Sequence, residues 1–194
     1  MKPIEIFPTL AALLLASSVA AQDTAAPADQ DQGQADTEAA ASEAPQDPAQ
    51  NFVTEAFGDW EVRCSADKTN CFMYVLARDT SLSPVAEISI VALPQGGDAT
   101  AGVTVVTPLG TLLTEGLVLQ IDSGRARQYD FGWCTRAGCF SRFGFTADEL
   151  ASMKQGANAK MRIVSVSAPD QPVLLDISLS GFTAGFNALP VRQN

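Results

Sequence analysis

Apolar and polar residues alternate along the chain from Trp60 onward. Trp60, Val62 and Cys64 fall on one side of an extended segment, and charged Glu61 and Arg63 fall on the other. A period of two is the mark of a strand with one buried face. A polar run, Ser65 to Asn70, separates it from Cys71-Phe72-Met73-Tyr74-Val75-Leu76, so the pair predicts a hairpin with a longer loop. Further strands are expected at 87–93, ended by Pro94 and Gly96-Gly97, and at the β-branched run 103–107, stopped by Pro108. Residues 117–121 form another, between Gly116 and Asp122-Ser123-Gly124, and 125–133 reads as one extended stretch. Segments 161–166 and 173–179 flank Ala168-Pro169-Asp170-Gln171-Pro172, which reads as the turn between them.

One helix is well signalled, near 147–155. Thr146 can cap it, Glu149 three residues on completes a capping box, and Gly156 supplies the stop, with Leu150 and Met153 on its buried side. Residues 182–189 can add a short helical turn. Many short strands with Gly and Pro turns predict an all-β fold: an antiparallel β-sandwich, or a partly open barrel, with one or two short helices.

The pattern changes at the N-terminus. Residues 1–21 hold Lys2, an apolar stretch from Leu10 to Leu15 and small residues up to Ala21. That order is the order of an export signal, cleaved after Ala20 or Ala21. Glu5 offsets Lys2, so an uncleaved anchor is the alternative; the apolar stretch is shorter than the roughly 20 residues a span requires. No cysteine lies near the cleavage point for lipid attachment. The mature chain is therefore expected to be soluble, without a membrane span, and periplasmic or secreted.

Residues 22–51 contain no aromatic residue and seven acidic residues with no basic one. Such a segment cannot bury enough apolar surface to offset its ordering entropy, and reads as a disordered acidic linker, either a spacer or solvated filler. The chain has 12 basic and 22 acidic residues. Setting aside Lys2, Glu5 and the seven linker acids leaves 11 basic against 14 acidic in the expected domain, 52–194. A near-neutral domain with no basic stripe argues against nucleic acid, whose phosphates demand clustered cations. Its 143 residues are enough for one self-sufficient core.

Four cysteines are spaced C-x6-C and C-x4-C, with 62 residues between the pairs. In an oxidising compartment they form disulfides, and three pairings exist. Cys64 with Cys71 and Cys134 with Cys139 is favoured, because each pair brackets a turn that brings its ends together. The spacing is too open for a four-cysteine zinc site, and neither pair is the C-x-x-C of a thiol oxidoreductase.

Histidine is absent, which removes Ser-His and Cys-His nucleophiles and imidazole metal sites. No G-x-S-x-G, P-loop or G-x-G-x-x-G occurs, and no cofactor is implied. Carboxylate-only hydrolysis is left as the alternative function, with Asp59, Glu61, Glu87, Glu115, Asp122, Asp130 and Asp176 as candidates. Around the second cysteine pair gather Tyr129, Phe131, Trp133, Phe140, Phe143 and Phe145. They read as core at one end of the fold, or as a platform for a sugar or protein. Trp133, Arg136, Phe140 and Arg142 are the candidate binding rim.

Four segments together resemble the invasion-associated locus B family of bacterial envelope proteins. They are Phe57-Gly58-Asp59-Trp60-Glu61-Val62-Arg63-Cys64, Pro108-Leu109-Gly110-Thr111-Leu112-Leu113 with Glu115-Gly116, Cys134-Thr135-Arg136-Ala137-Gly138-Cys139, and Ser178-Leu179-Ser180-Gly181-Phe182. The resemblance spans about 55–190 and implies a secreted or periplasmic β-rich domain linked to host-cell invasion, with no catalytic residues to carry over. The expected function is that of a non-catalytic envelope protein that binds a protein or glycan partner.

Overall fold

The computed structural model of the chain describes residues 52–191. The signal assigned to 1–21 and the linker assigned to 22–51 lie outside the described residues. Strands β1 (Phe52–Phe57), β2 (Trp60–Ser65), β3 (Cys71–Arg78), β4 (Pro84–Ala92) and β5 (Ala101–Thr107) come first. A short 3-10 turn, Leu113–Glu115, precedes β6 (Leu117–Ile121), β7 (Arg127–Tyr129), β8 (Phe131–Thr135) and β9 (Gly138–Phe145). Helix α1 (Ala147–Gln155), β10 (Asn158–Ser165), β11 (Ala168–Ser178) and α2 (Phe182–Ala188) complete the domain.

All eleven strands belong to one antiparallel sheet, ordered β7-β6-β10-β11-β3-β4-β5-β9-β8, with β2 beside β3 and β1 outside β2. Its two end strands, β7 and β8, follow one another in the chain with only Asp130 between them. The sheet therefore curls until its ends meet, and the all-β expectation takes the form of a nearly closed barrel. Tyr129 of β7 stacks on Phe143 of β9 across that seam, with ring centroids 3.6 Å apart. Ser141 donates to the Asp130 carbonyl at 2.7 Å beside it.

The inward positions fill the barrel. Trp60, Met73, Ile90, Val105, Leu117, Met161, Leu175 and Ile177 are buried, and each large side chain contributes roughly 1.5–3 kcal/mol. Trp60 meets Phe182 of α2 edge-on at 5.1 Å, and its indole N–H donates to the Ser178 carbonyl at 2.9 Å.

Helix α1 has the expected capping box between Thr146 and Glu149. Gly156 ends it in an extended conformation, φ −73°, so left-handed backbone is not the reason for glycine here. A Cβ at Gly156 would lie 2.7 Å from Ile121 Cγ2 and 2.9 Å from Leu179 Cδ1, which makes close packing the reason.

Three expectations are revised. Residues 168–172 do not join β10 to β11; that turn lies at Val166-Ser167. Ser165 pairs with Ala168 and Ile163 with Val173, so Pro169–Pro172 forms a wide bulge opposite Val164, where prolines without ladder donors are tolerated. The stretch 125–133 is split by Asp130 into β7 and β8. Strands β1 and β9 are additions: β1 buries no residue fully, so alternation does not reveal it, and buried Ser141 interrupts the apolar face of β9.

Candidate binding face

Outward-pointing residues of β3, β4, β5, β9 and β8 form two rows. Register puts Tyr74 opposite Ser89, Ser89 opposite Thr104, and Thr104 opposite Arg142. The adjacent row runs Leu76, Glu87, Val106, Phe140 and Trp133. Trp133 and Phe140 lie parallel, with centroids 5.3 Å apart and planes within 3°. The Arg142 guanidinium carbon is 5.7 Å from the Trp133 ring centroid, and Arg142 Nε donates to Thr104 Oγ1 at 3.3 Å. Trp133 is 43% exposed, whereas the other tryptophan, Trp60, is 0% exposed.

Hairpin β8–β9 holds this rim in place. Cys134 and Cys139 are opposite each other and joined by a disulfide, and Gly138, at φ +143°, lets the turn close against the Thr107 carbonyl. Thr107 donates to the Cys139 carbonyl at 3.3 Å, and Thr111 donates to Thr107 at 3.0 Å, all in buried surroundings. Of the candidate rim, Trp133, Phe140 and Arg142 come together; Arg136 is exposed at the hairpin tip. The rest of the aromatic cluster faces the core: Phe145 is buried, and Tyr129, Phe131 and Phe143 pack against it. Ser89, Thr104 and Tyr74 were not foreseen as part of this face. Their polarity is visible in the alternation, but their pairing across strands is not.

Tyr74 closes the far end of the polar row. The Arg63 guanidinium sits 3.6 Å above its ring and is paired with Glu61 at 2.8 Å. Burial, and then the nearby Glu87 charge, push the Tyr74 hydroxyl above its ordinary range.

Among the carboxylate candidates, Asp59, Glu61 and Asp176 line one concavity with Tyr74, Arg78 and Ser178. Each is engaged: Asp59 accepts from Ser178 Oγ at 2.6 Å, Glu61 pairs with Arg63, and Asp176 lies 3.6 Å from Lys160. Asp122 accepts from the Ala157 and Asn158 amides. Glu87 stands in the second row of the face, near Tyr74, and Glu115 and Asp130 lie elsewhere. No group of three or more Asp, Glu or Cys side chains is placed to hold a metal among the described residues, and none of their helices is long and apolar enough to cross a membrane.

The segments quoted for the resemblance serve architecture. Gly58 and Asp59 meet Ser178 and Ser180: the Asp59 amide donates to the Ser180 carbonyl at 3.1 Å, and a Cβ at Gly58 would lie 2.6 Å from that oxygen. The first and last segments thus interlock around Trp60.

Fold and face together define a disulfide-reinforced β-barrel module with an exposed aromatic–arginine rim. The model for the invasion associated locus B (IalB) protein family matches residues 60–190, and the chain belongs to that family. It is 27% identical over 137 residues to an invasion protein B homolog of Brucella abortus (strain 2308), covering 71% of this chain and 79% of that one. The homolog from Brucella abortus biovar 1 (strain 9-941) gives the same values. The crystal structure of invasion associated protein B from Bartonella henselae superposes with a TM-score of 0.60 at 26% identity, covering 70% of this chain and 94% of that one.

Proposed function

We propose that this chain is an exported, non-catalytic envelope protein that binds a protein or glycan partner through the face around Trp133. A signal at 1–21 directs export, 22–51 is an acidic linker, and 52–194 is the binding domain. The exposed Trp133, set parallel to Phe140 and beside Arg142, is the observation that carries this reading. Exposed aromatic residues with an adjacent arginine are the residue types that anchor interfaces. Two disulfides agree with an oxidising compartment, and the relatives' names link them to invasion. No observation favours the hydrolase alternative, since Asp59, Glu61 and Asp176 are each held by a serine or a cation.

Capture of partners from envelope extract by immobilised protein tests it. Trp133→Ala and Arg142→Ala should lose the captured species while melting like the parent. Retention by both variants would overturn the assignment of the face.

A further inference from the structure

We infer that the ligand of this face is an acidic oligosaccharide, with a sugar ring on the Trp133 indole and a carboxylate on Arg142; this rests on the reading that the face is the binding face. Four observations converge. Trp133 is 43% exposed and stacked on Phe140, so the exposed part of the indole offers a flat apolar surface with little ordering left to do. The C–H face of a pyranose matches such a surface.

Arg142 supplies the charge selection. Its Nε is committed to Thr104, and no carboxylate pairs with it among the described residues. The outer guanidinium nitrogens are left for a ligand, and a guanidinium matches a carboxylate in bidentate geometry.

The third observation is length. Arg142, Thr104, Ser89 and Tyr74 stand on four neighbouring strands, so the polar row extends about 14 Å from its first strand to its last. Sugar hydroxyls along a chain can exchange hydrogen bonds with that row of hydroxyls.

Finally, the polar row crosses no strand edge; the free edge lies beside it, at β8. β4 and β5 are paired on both sides, so an extended peptide lying here would find no backbone ladder for its own amides and carbonyls. A saccharide has no such requirement.

The full oxidised chain is titrated with tetragalacturonate, a hyaluronan tetrasaccharide, neutral maltotetraose and hexaglutamate, with tryptophan fluorescence as readout. Trp60 is buried, so the change reports Trp133, and Trp133→Phe identifies it. At least one uronate oligosaccharide should bind saturably and about tenfold or more tighter than maltotetraose, with Arg142→Ala losing about tenfold and Arg142→Lys recovering only part. Equal binding of maltotetraose, no binding of either uronate, or insensitivity to Arg142→Ala overturns the inference. Hexaglutamate binding alone, dependent on Arg142, overturns it in favour of a protein partner and leaves the proposed function standing. Envelope capture that survives both Trp133→Ala and Arg142→Ala is the distinct result that removes the assignment of the face on which this inference rests.

Discussion

Two cysteine-clamped hairpins in this barrel differ in what surrounds them. In β2–β3, Cys64 is bonded to Cys71, β1 flanks one side and β4 the other, and the inward face carries Trp60, Val62, Met73 and Val75. Its loop is tied down locally, with Asp67 accepting from Ser65 and Thr69; those hydrogen bonds hold the Asp67 carboxyl below its usual range. In β8–β9, Cys134 is bonded to Cys139, but β8 is the last strand of the sheet and is almost wholly exposed. Packing dictates the residue choices of the first hairpin. On β8 packing demands little of Trp133, so another role is needed to account for a large aromatic side chain there.

The largest effect expected from breaking this contrast is Trp60→Ala. It empties a fully buried site, removes the edge-on contact with Phe182 and takes the indole N–H donor from the Ser178 carbonyl. A loss of about 3–5 kcal/mol is expected in urea unfolding. Trp133→Ala, on the exposed strand, should cost less than about 1 kcal/mol.

Next come the disulfides. Loops of this size predict a loss of roughly 2 to 2.5 kcal/mol for either bridge. Cys64→Ser with Cys71→Ser should be no worse than either single change, because the pair is one unit. Opening Cys134–Cys139 should also weaken partner capture, whereas opening Cys64–Cys71 should leave it intact in the folded fraction. Equal effects on capture would erase the distinction between the hairpins.

A smaller effect belongs to the seam beside the second hairpin. Burial opposes ionisation of Glu149, yet hydrogen bonds from the Thr146 amide, the Tyr129 hydroxyl and the Thr146 hydroxyl, with the Arg127 charge, hold its carboxyl below the usual range. Burial and Glu149 in turn push the Tyr129 hydroxyl up. A carboxyl lowered on folding stabilises above its unfolded pKa, and that contribution fades as pH falls from about 4.5 through the folded value. Glu149→Gln should cost about 1.5–2 kcal/mol at neutral pH. The difference from the parent should shrink in acid, which denaturation at pH 7 and pH 3 measures. A constant difference would detach Glu149 ionisation from seam closure.

How much of this could be read from residues alone follows from burial. β2 alternates buried with half-buried positions, β3 and β5 are apolar or β-branched runs bounded by polar or proline breaks, and α1 carries a capping box, so these elements were legible. β1 buries no face, and Ser141 of β9 turns inward to bond Asp130 across the seam; both escape a pattern that looks for apolar periodicity. Trp133, Phe140 and Arg142 were legible as a cluster because they are near in sequence. The polar row was not, since pairing of Ser89 with Thr104 and of Thr104 with Arg142 is set by long-range register.

The direct measurement is envelope-partner capture and thermal unfolding on the same samples of parent and Trp133→Ala. Melting within about 2 °C of the parent, together with loss of the captured partner, is expected for an exposed residue whose work is binding. Unchanged capture at unchanged melting temperature would contradict the assignment of the β8–β9 rim as the binding face.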